Sequence, residues 1–297
     1  MPPSRYVQAP APRPVDCRAE LLAGIEELPP LPLVLNRVLQ LLNDNNSSSS
    51  QIASLIEKDV VLSGSVMRCV NSAYYGLNAT VSSIRHAVSL LGFSSVRNLA
   101  LAFSMRRMLT TSHAPAPRLY SRYSQHSLSC ALLCDHLVSF APVANSDAAF
   151  ASGLFHDIGK LLILTTFPDL LPRITELYES EHASYEEAEK EVVQVTHAEM
   201  SRVVMEKWQL PLWIQEAVEY HHRPEQSPHD TGGALSLGQI VHAADLYVNE
   251  YGLEILPSKR QTAQAADAAF EGIGLRGKLP EILEKFKSEF EGIRNLF

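Results

Sequence analysis

Apolar positions recur at helical spacing along almost the whole chain. Leu31, Val34, Leu35, Val38, Leu41 and Leu42 fall on one face, with Pro32 suited to a first turn and the Asn- and Ser-rich run 43–50 closing the segment. A short helix with Ile52, Leu55 and Ile56 inward comes next, and Asp59 is placed to cap a helix carrying Leu62, Val66, Met67 and Val70. Ile84, Ala87, Val88 and Leu91 form another stripe, stopped by Gly92, and Val96, Leu99, Ala100 and Phe103 carry the pattern to about Leu109. Further on, Ser184 with Glu187 and Thr196 with Glu199 fit capping boxes, and Pro211 marks a helix start. Ile282, Leu283, Phe286, Phe290 and Ile293 make a final amphipathic helix that either packs on the core or mediates homodimerisation. No segment alternates with the period of a strand, so the pattern predicts an all-α protein.

Breaks in the pattern divide the chain. The Pro-rich start (Pro2, Pro3, Pro10, Pro12, Pro14) predicts a disordered leader over residues 1–17. The stretch Thr110–Pro117 (TTSHAPAP) predicts a boundary between a helical N-terminal subdomain, 18–112, and a helical second subdomain, 113–257, with a helical tail over 258–297.

Composition narrows the class. With 46% apolar and 20% charged residues the chain is that of an ordinary globular protein. No apolar run reaches the roughly 18 residues that cross a bilayer, and no secretory h-region precedes the fold, so neither a membrane nor export is expected. A formal charge of −8 opposes a nucleic-acid surface, which needs a basic face. Four cysteines without a CxxC pair predict reduced thiols, used for packing, in a cytoplasmic protein.

The chemistry lies in the second half. His126 shares a stripe with Tyr123, Cys130, Cys134 and Leu137 and so points inward. His156 and Asp157 stand in Gly153-Leu-Phe-His-Asp-Ile-Gly-Lys160, and His197 opens the helix after Thr196. His221 and His222 follow Ile214, Ala217 and Val218, and Asp245 lies on the face of Leu237, Val241 and Val248. A single inward histidine is commonly a satisfied core residue, but a buried carboxylate needs a cation or donors. Imidazoles and carboxylates gathered together suit a divalent transition metal, iron, manganese or zinc. Adjacent His156 and Asp157 can both reach one ion, and a carboxylate can bridge two. Gly159 would let the chain turn and leave Lys160 free to meet an anion such as phosphate. His86, His113, His136, His182, His229 and His242 lack this combination and read as surface or packing residues.

The series His126, His156-Asp157, His197, His221-His222 and Asp245 resembles the HD superfamily of metal-dependent phosphohydrolases, especially its HD-GYP branch. The resemblance implies a first metal on His126, His156, Asp157 and Asp245. It implies that Asp157 bridges to a second metal on His197 and His221 or His222, and that Asp157 and Lys160 take part in attack on a phosphoester. Leu28-Pro-Pro-Leu-Pro32, Ile56-Glu-Lys-Asp59, Val70-Asn-Ser-Ala-Tyr-Tyr-Gly76 and Ile84-Arg-His-Ala-Val-Ser-Leu-Leu-Gly92, in this order, look like the signature of the HDOD branch over about residues 21–225. No Gly-Tyr-Pro motif follows His221-His222, and Arg122 stands where some three-metal relatives carry Glu.

The resemblance implies an HD-type helical fold and a bacterial signal-transduction protein that acts on protein partners in trans. The alternative it implies is an active phosphohydrolase on a nucleotide or other phosphorylated small molecule.

Overall fold

A computed structural model describes residues 16–27, 31–41, 48–77, 79–111, 117–180, 184–228, 231–256 and 265–296. The expectations placed on residues 1–15 and on His113, His182 and His229 lie outside them. Among the described residues all regular structure is helical, apart from one isolated bridge between Val143 and Leu235.

The first helices are α1 (Cys17–Glu27), α2 (Leu33–Gln40), α3 (Ser49–Glu57), α4 (Val60–Val70), α5 (Ile84–Leu91) and α6 (Phe93–Thr111). Their starts are chemically marked. Asp59 Oδ1 accepts from the Val61 and Leu62 amides at 3.1 and 3.0 Å, and the Ser83 hydroxyl accepts from His86 N at 3.1 Å. Each such cap is worth about 1 kcal/mol. Gly92 ends α5 with φ +86°, a backbone conformation that favours glycine. Helices α2, α3, α4 and α5 pack on α6 through Leu35, Val38, Ile52, Ile56, Val66 and Ala87.

The second series comprises α7 (Pro117–Leu137), α8 (Ala149–Phe155), α9 (Ile158–Thr166), α10 (Leu171–Glu179) and α11 (Tyr185–Val193). It continues with α12 (His197–Lys207), α13 (Leu212–Glu219), α14 (Leu237–Glu250), α15 (Ala265–Gly272) and α16 (Leu279–Ile293). Both expected capping boxes form, at Ser184 and at Thr196, and Ser236 with Gln239 makes another at the start of α14. Helix α7 is central and carries α8, α14 and α16, while α12 lies between α9 and α13.

Two contacts tie the ends of the chain into this core. Helix α1 packs on α9, and the Lys207 ammonium at the end of α12 donates to Ile25 O at 2.5 Å. Helix α16 buries Ile282, Phe286, Phe290 and Ile293 against α7 and reaches the turn at 73–75, where Gly292 lies against the Tyr74 ring. Of the two readings of this amphipathic helix, its apolar face is thus covered by the chain itself.

One expectation from composition is corrected. The run Ser146–Thr166 is long and apolar enough to cross a membrane by length and composition, but 83% of its most apolar window is buried inside the protein. It is also not one rod, because α8 ends at Phe155 and α9 begins after Asp157. Its apolarity serves packing, chiefly of α8 on α7 and of α9 on α12.

Candidate metal centre

The His156-Asp157 step is positioned by backbone packing. A Cβ added at Gly153 would lie 2.9 Å from Ala131 Cα, and one at Gly159 would lie 2.0 Å from His197 O. Only glycine admits such approach, so α8 sits directly on α7 and α9 directly on the start of α12. This corrects the expectation for Gly159, which lies within helix α9 and serves close approach, not a turn. Ser201 clasps the same junction, its hydroxyl donating to His156 O at 2.6 Å and accepting from Gly159 N at 2.9 Å.

Asp157 is the N-cap of α9, yet its side chain makes no cap hydrogen bond, in contrast to Asp59 at the same position of α4. Its carboxylate is instead turned into the protein among imidazoles. Oδ2 lies 3.5 Å from His126 Nε2 and 3.6 Å from His156 Nε2, whereas Oδ1 lies 3.2 Å from His197 Nε2 and 3.8 Å from His221 Nε2. Asp245, on α14, places Oδ1 at 3.3 Å from His126 Nε2 and 3.6 Å from His156 Nε2. His222 Nε2 is 2.9 Å from His197 Nε2. His221 and His222 occupy the turn just past α13, and both face the cluster.

The second nitrogen of each ring fixes its tautomer. The Nδ1–H groups of His126, His156 and His221 donate to Leu253 O at 3.0 Å, Gly153 O at 2.8 Å and Val218 O at 2.7 Å. His197 Nδ1–H donates to Glu189 Oε2 at 2.6 Å, and the same oxygen accepts the His197 amide at 2.9 Å. In their neutral form all four rings therefore aim a bare Nε2 lone pair inward. Two such lone pairs, those of His126 and His156, face each other at 3.3 Å, and His221 Nε2 and Asp157 Oδ1 are buried without any partner. Acceptors crowded this way repel one another unless a cation lies among them.

Charge makes the same demand. Burial would push Asp157 upward, but Lys160, His156 and His197 hold it well below the usual carboxylate range. Asp245 is likewise held down, against burial, by His126 and His156 when those rings are protonated at Nε2 and donate to it. Burial and neighbouring imidazoles lower His221 to about 3 and depress His222, the neutral form that binds metals. His156 moves the other way: burial works against its protonation, but Asp157 and Asp245 prevail and raise it. Apart from Lys160, the two buried carboxylates face imidazoles, and a bound cation would neutralise them without a proton on any ring. The donor set of histidine nitrogen and carboxylate oxygen fits a transition metal.

Lys160 corrects a second expectation. It does not stand free for an anion, because its ammonium donates to Asp157 Oδ2 at 2.7 Å and lies 5.3 Å over the Tyr185 ring. Arg122 is turned away from the cluster and donates to the backbone carbonyls of Glu254 and Ile255, next to the Leu253 carbonyl that holds His126. His136 pairs with Glu289 and His242 donates to His221 O, outside the cluster.

Two participants escaped the reading from sequence. Glu189 is fully buried on α11 and completes a carboxylate–histidine pair of the kind that orients metal ligands. Its signal was present, since it sits four residues past Tyr185 on the inward face of a helix whose capping box was recognised. Cys130 is the other: its Sγ is 3.7 Å from His126 Nε2, so packing does not describe its whole environment.

Residues 28–224 match the HDOD domain family, and the chain belongs to that family. Its fold is that of an HDOD domain protein of unknown function from Geobacter sulfurreducens, 23% identical, with a TM-score of 0.77 over 95% of this chain and 97% of that one. A candidate phosphohydrolase from Shewanella amazonensis SB2B is 22% identical with a TM-score of 0.70, covering 94% of this chain and 98% of its own. A candidate signal-transduction protein from Marinobacter aquaeolei VT8 is 21% identical with a TM-score of 0.71, covering 94% and 65%. An uncharacterised protein of Treponema pallidum is 24% identical over 267 residues; the chain spans about half the length of this curated relative, 52%.

Proposed function

We propose that this HDOD protein is a regulatory module of bacterial signalling, acting on protein partners in the cytoplasm, with a metal site that organises its helices. The observation that carries this reading is closure of the cluster. His126, His156, Asp157, His197, His221 and Asp245 are all between 0% and 3% exposed, and the one lysine beside them is engaged with Asp157. Only His222 among the clustered histidines is partly exposed. By contrast, Leu33, Val60 and Val61 in the N-terminal half are 74%, 83% and 60% exposed, which suits contact with another protein.

A second reading is favoured by the donor set. Asp157 presents one oxygen to each half of the cluster, the arrangement of a two-metal hydrolase, in which paired cations generate a hydroxide and stabilise an in-line displacement. Protein purified without chelator, assayed for bound iron, manganese and zinc and then for turnover of nucleotides and cyclic dinucleotides, separates the two. The regulatory reading expects bound metal without hydrolysis. Turnover that disappears in Asp157→Ala would establish the hydrolase instead.

A further inference from the structure

The geometry points to Cys130 as a ligand of the first metal, in a set of two histidines, one cysteine and one aspartate with His126, His156 and Asp245. This rests on the reading that the cluster holds a metal and specifies what that metal is. Cys130 lies one turn beyond His126 on α7 and is fully buried, so both side chains descend from one helix face into the same space. One donor atom from each of His126, Cys130, His156 and Asp245 falls within 4.8 Å of the other three. The separations from His126, and those of Asp245 from both histidines, match a coordination shell. Zinc–nitrogen bonds of about 2.0–2.1 Å and a zinc–sulfur bond of about 2.3 Å put tetrahedral N···N and N···S pairs roughly 3.3 and 3.6 Å apart. The observed values are 3.3 Å for His126 to His156 and 3.7 Å for His126 to Cys130. Asp245 Oδ1 stands 3.3 and 3.6 Å from the same two nitrogens.

The environment of the other donors points the same way independently. Neither the His126 nor the His156 Nε2 carries a proton in the neutral ring, and the Asp157 oxygen on their side is already taken by Lys160. A fourth donor from Cys130 closes the shell without breaking that ion pair. On binding, the thiol proton leaves to solvent as the metal–sulfur bond forms. A thiolate in the shell selects zinc or ferrous iron over manganese, and four protein donors leave this ion without an open position, as in structural sites.

Cobalt(II) loaded into the chelated full chain tests this by absorbance. The wild type is expected to show a near-ultraviolet sulfur-to-cobalt charge-transfer band together with visible ligand-field bands. Cys130→Ser should lose the charge-transfer band and keep ligand-field absorption, and Cys134→Ser should keep both. Ligand-field bands without charge transfer in the wild type would overturn the assignment while leaving the metal site standing. Failure to bind cobalt, zinc or iron at all would overturn both. Should Cys130→Ser not fold, X-ray absorption of the zinc-loaded wild type decides: a sulfur scatterer at about 2.3 Å supports Cys130, and a shell of nitrogen and oxygen alone rejects it.

Discussion

The Lys160 ammonium stands 2.7 Å from Asp157 Oδ2, the oxygen that also faces His126 and His156. A fixed positive charge so near the metal-facing donors repels an incoming cation. Lys160→Met should therefore tighten metal binding by about tenfold, roughly 1.4 kcal/mol, while lowering the stability of the chelated protein, whose Asp157 loses its counter-ion. Chelator-competition titrations read the first effect and thermal melts the second. Weaker metal binding in this variant would mean that the lysine supports the site.

Glu189 holds His197 through both its ring and its amide. Glu189→Gln keeps the shape and loses the charge, and outer partners of this kind are typically worth about 10–100-fold in metal affinity. A loss in that range, with the far-ultraviolet circular dichroism unchanged, is expected from the same titrations.

Metal binding to the folded chain alone stabilises it by mass action, about 2.7 kcal/mol at a hundredfold excess over Kd. For a protein of this size chelation should lower Tm by roughly 4 °C, and added zinc or iron should restore it. An identical melt with and without chelator would count against a structural ion.

Acid should unfold the chelated protein early. His221 falls from an ordinary histidine value to about 3 on folding, and His222 is also depressed, so the unfolded chain binds more protons than the folded one below about pH 6.5. Their stabilisation is present above that pH and is lost as pH falls. Asp157 and Asp245, also depressed, extend the loss below the ordinary carboxylate range near pH 4. His156, raised, acts oppositely, stabilising at low pH and fading as pH rises through its folded value. Between pH 7 and pH 4 the two depressed histidines, His221 and His222, stand against the one raised histidine, so Tm should decline over that range and fall further below pH 4 as the carboxylates follow, as melts across buffers would read.

Much of this was legible in the sequence because the signals are local. Asp59, Ser184 and Thr196 cap helices from within three residues, and the stripe Ile282, Phe286, Phe290, Ile293 reads directly from its spacing. What could not be read depends on contacts between helices. The role of Gly159 is set by a carbonyl at His197, that of Glu189 by the ring of the same residue, and the engagement of Lys160 by how Asp157 rotates once its capping function is given up. The break between α8 and α9 likewise depends on the packing of their two glycines, which a run of apolar residues does not reveal.

Gly153 is seated closely on α7 and Gly159 on α12. The helices beside His126, His156 and His197 meet main chain to main chain at these two points, so a side chain at either glycine would part them whatever occupies the metal positions. The spacing of the donors is thus set by how near two backbones can come, before any ion is bound.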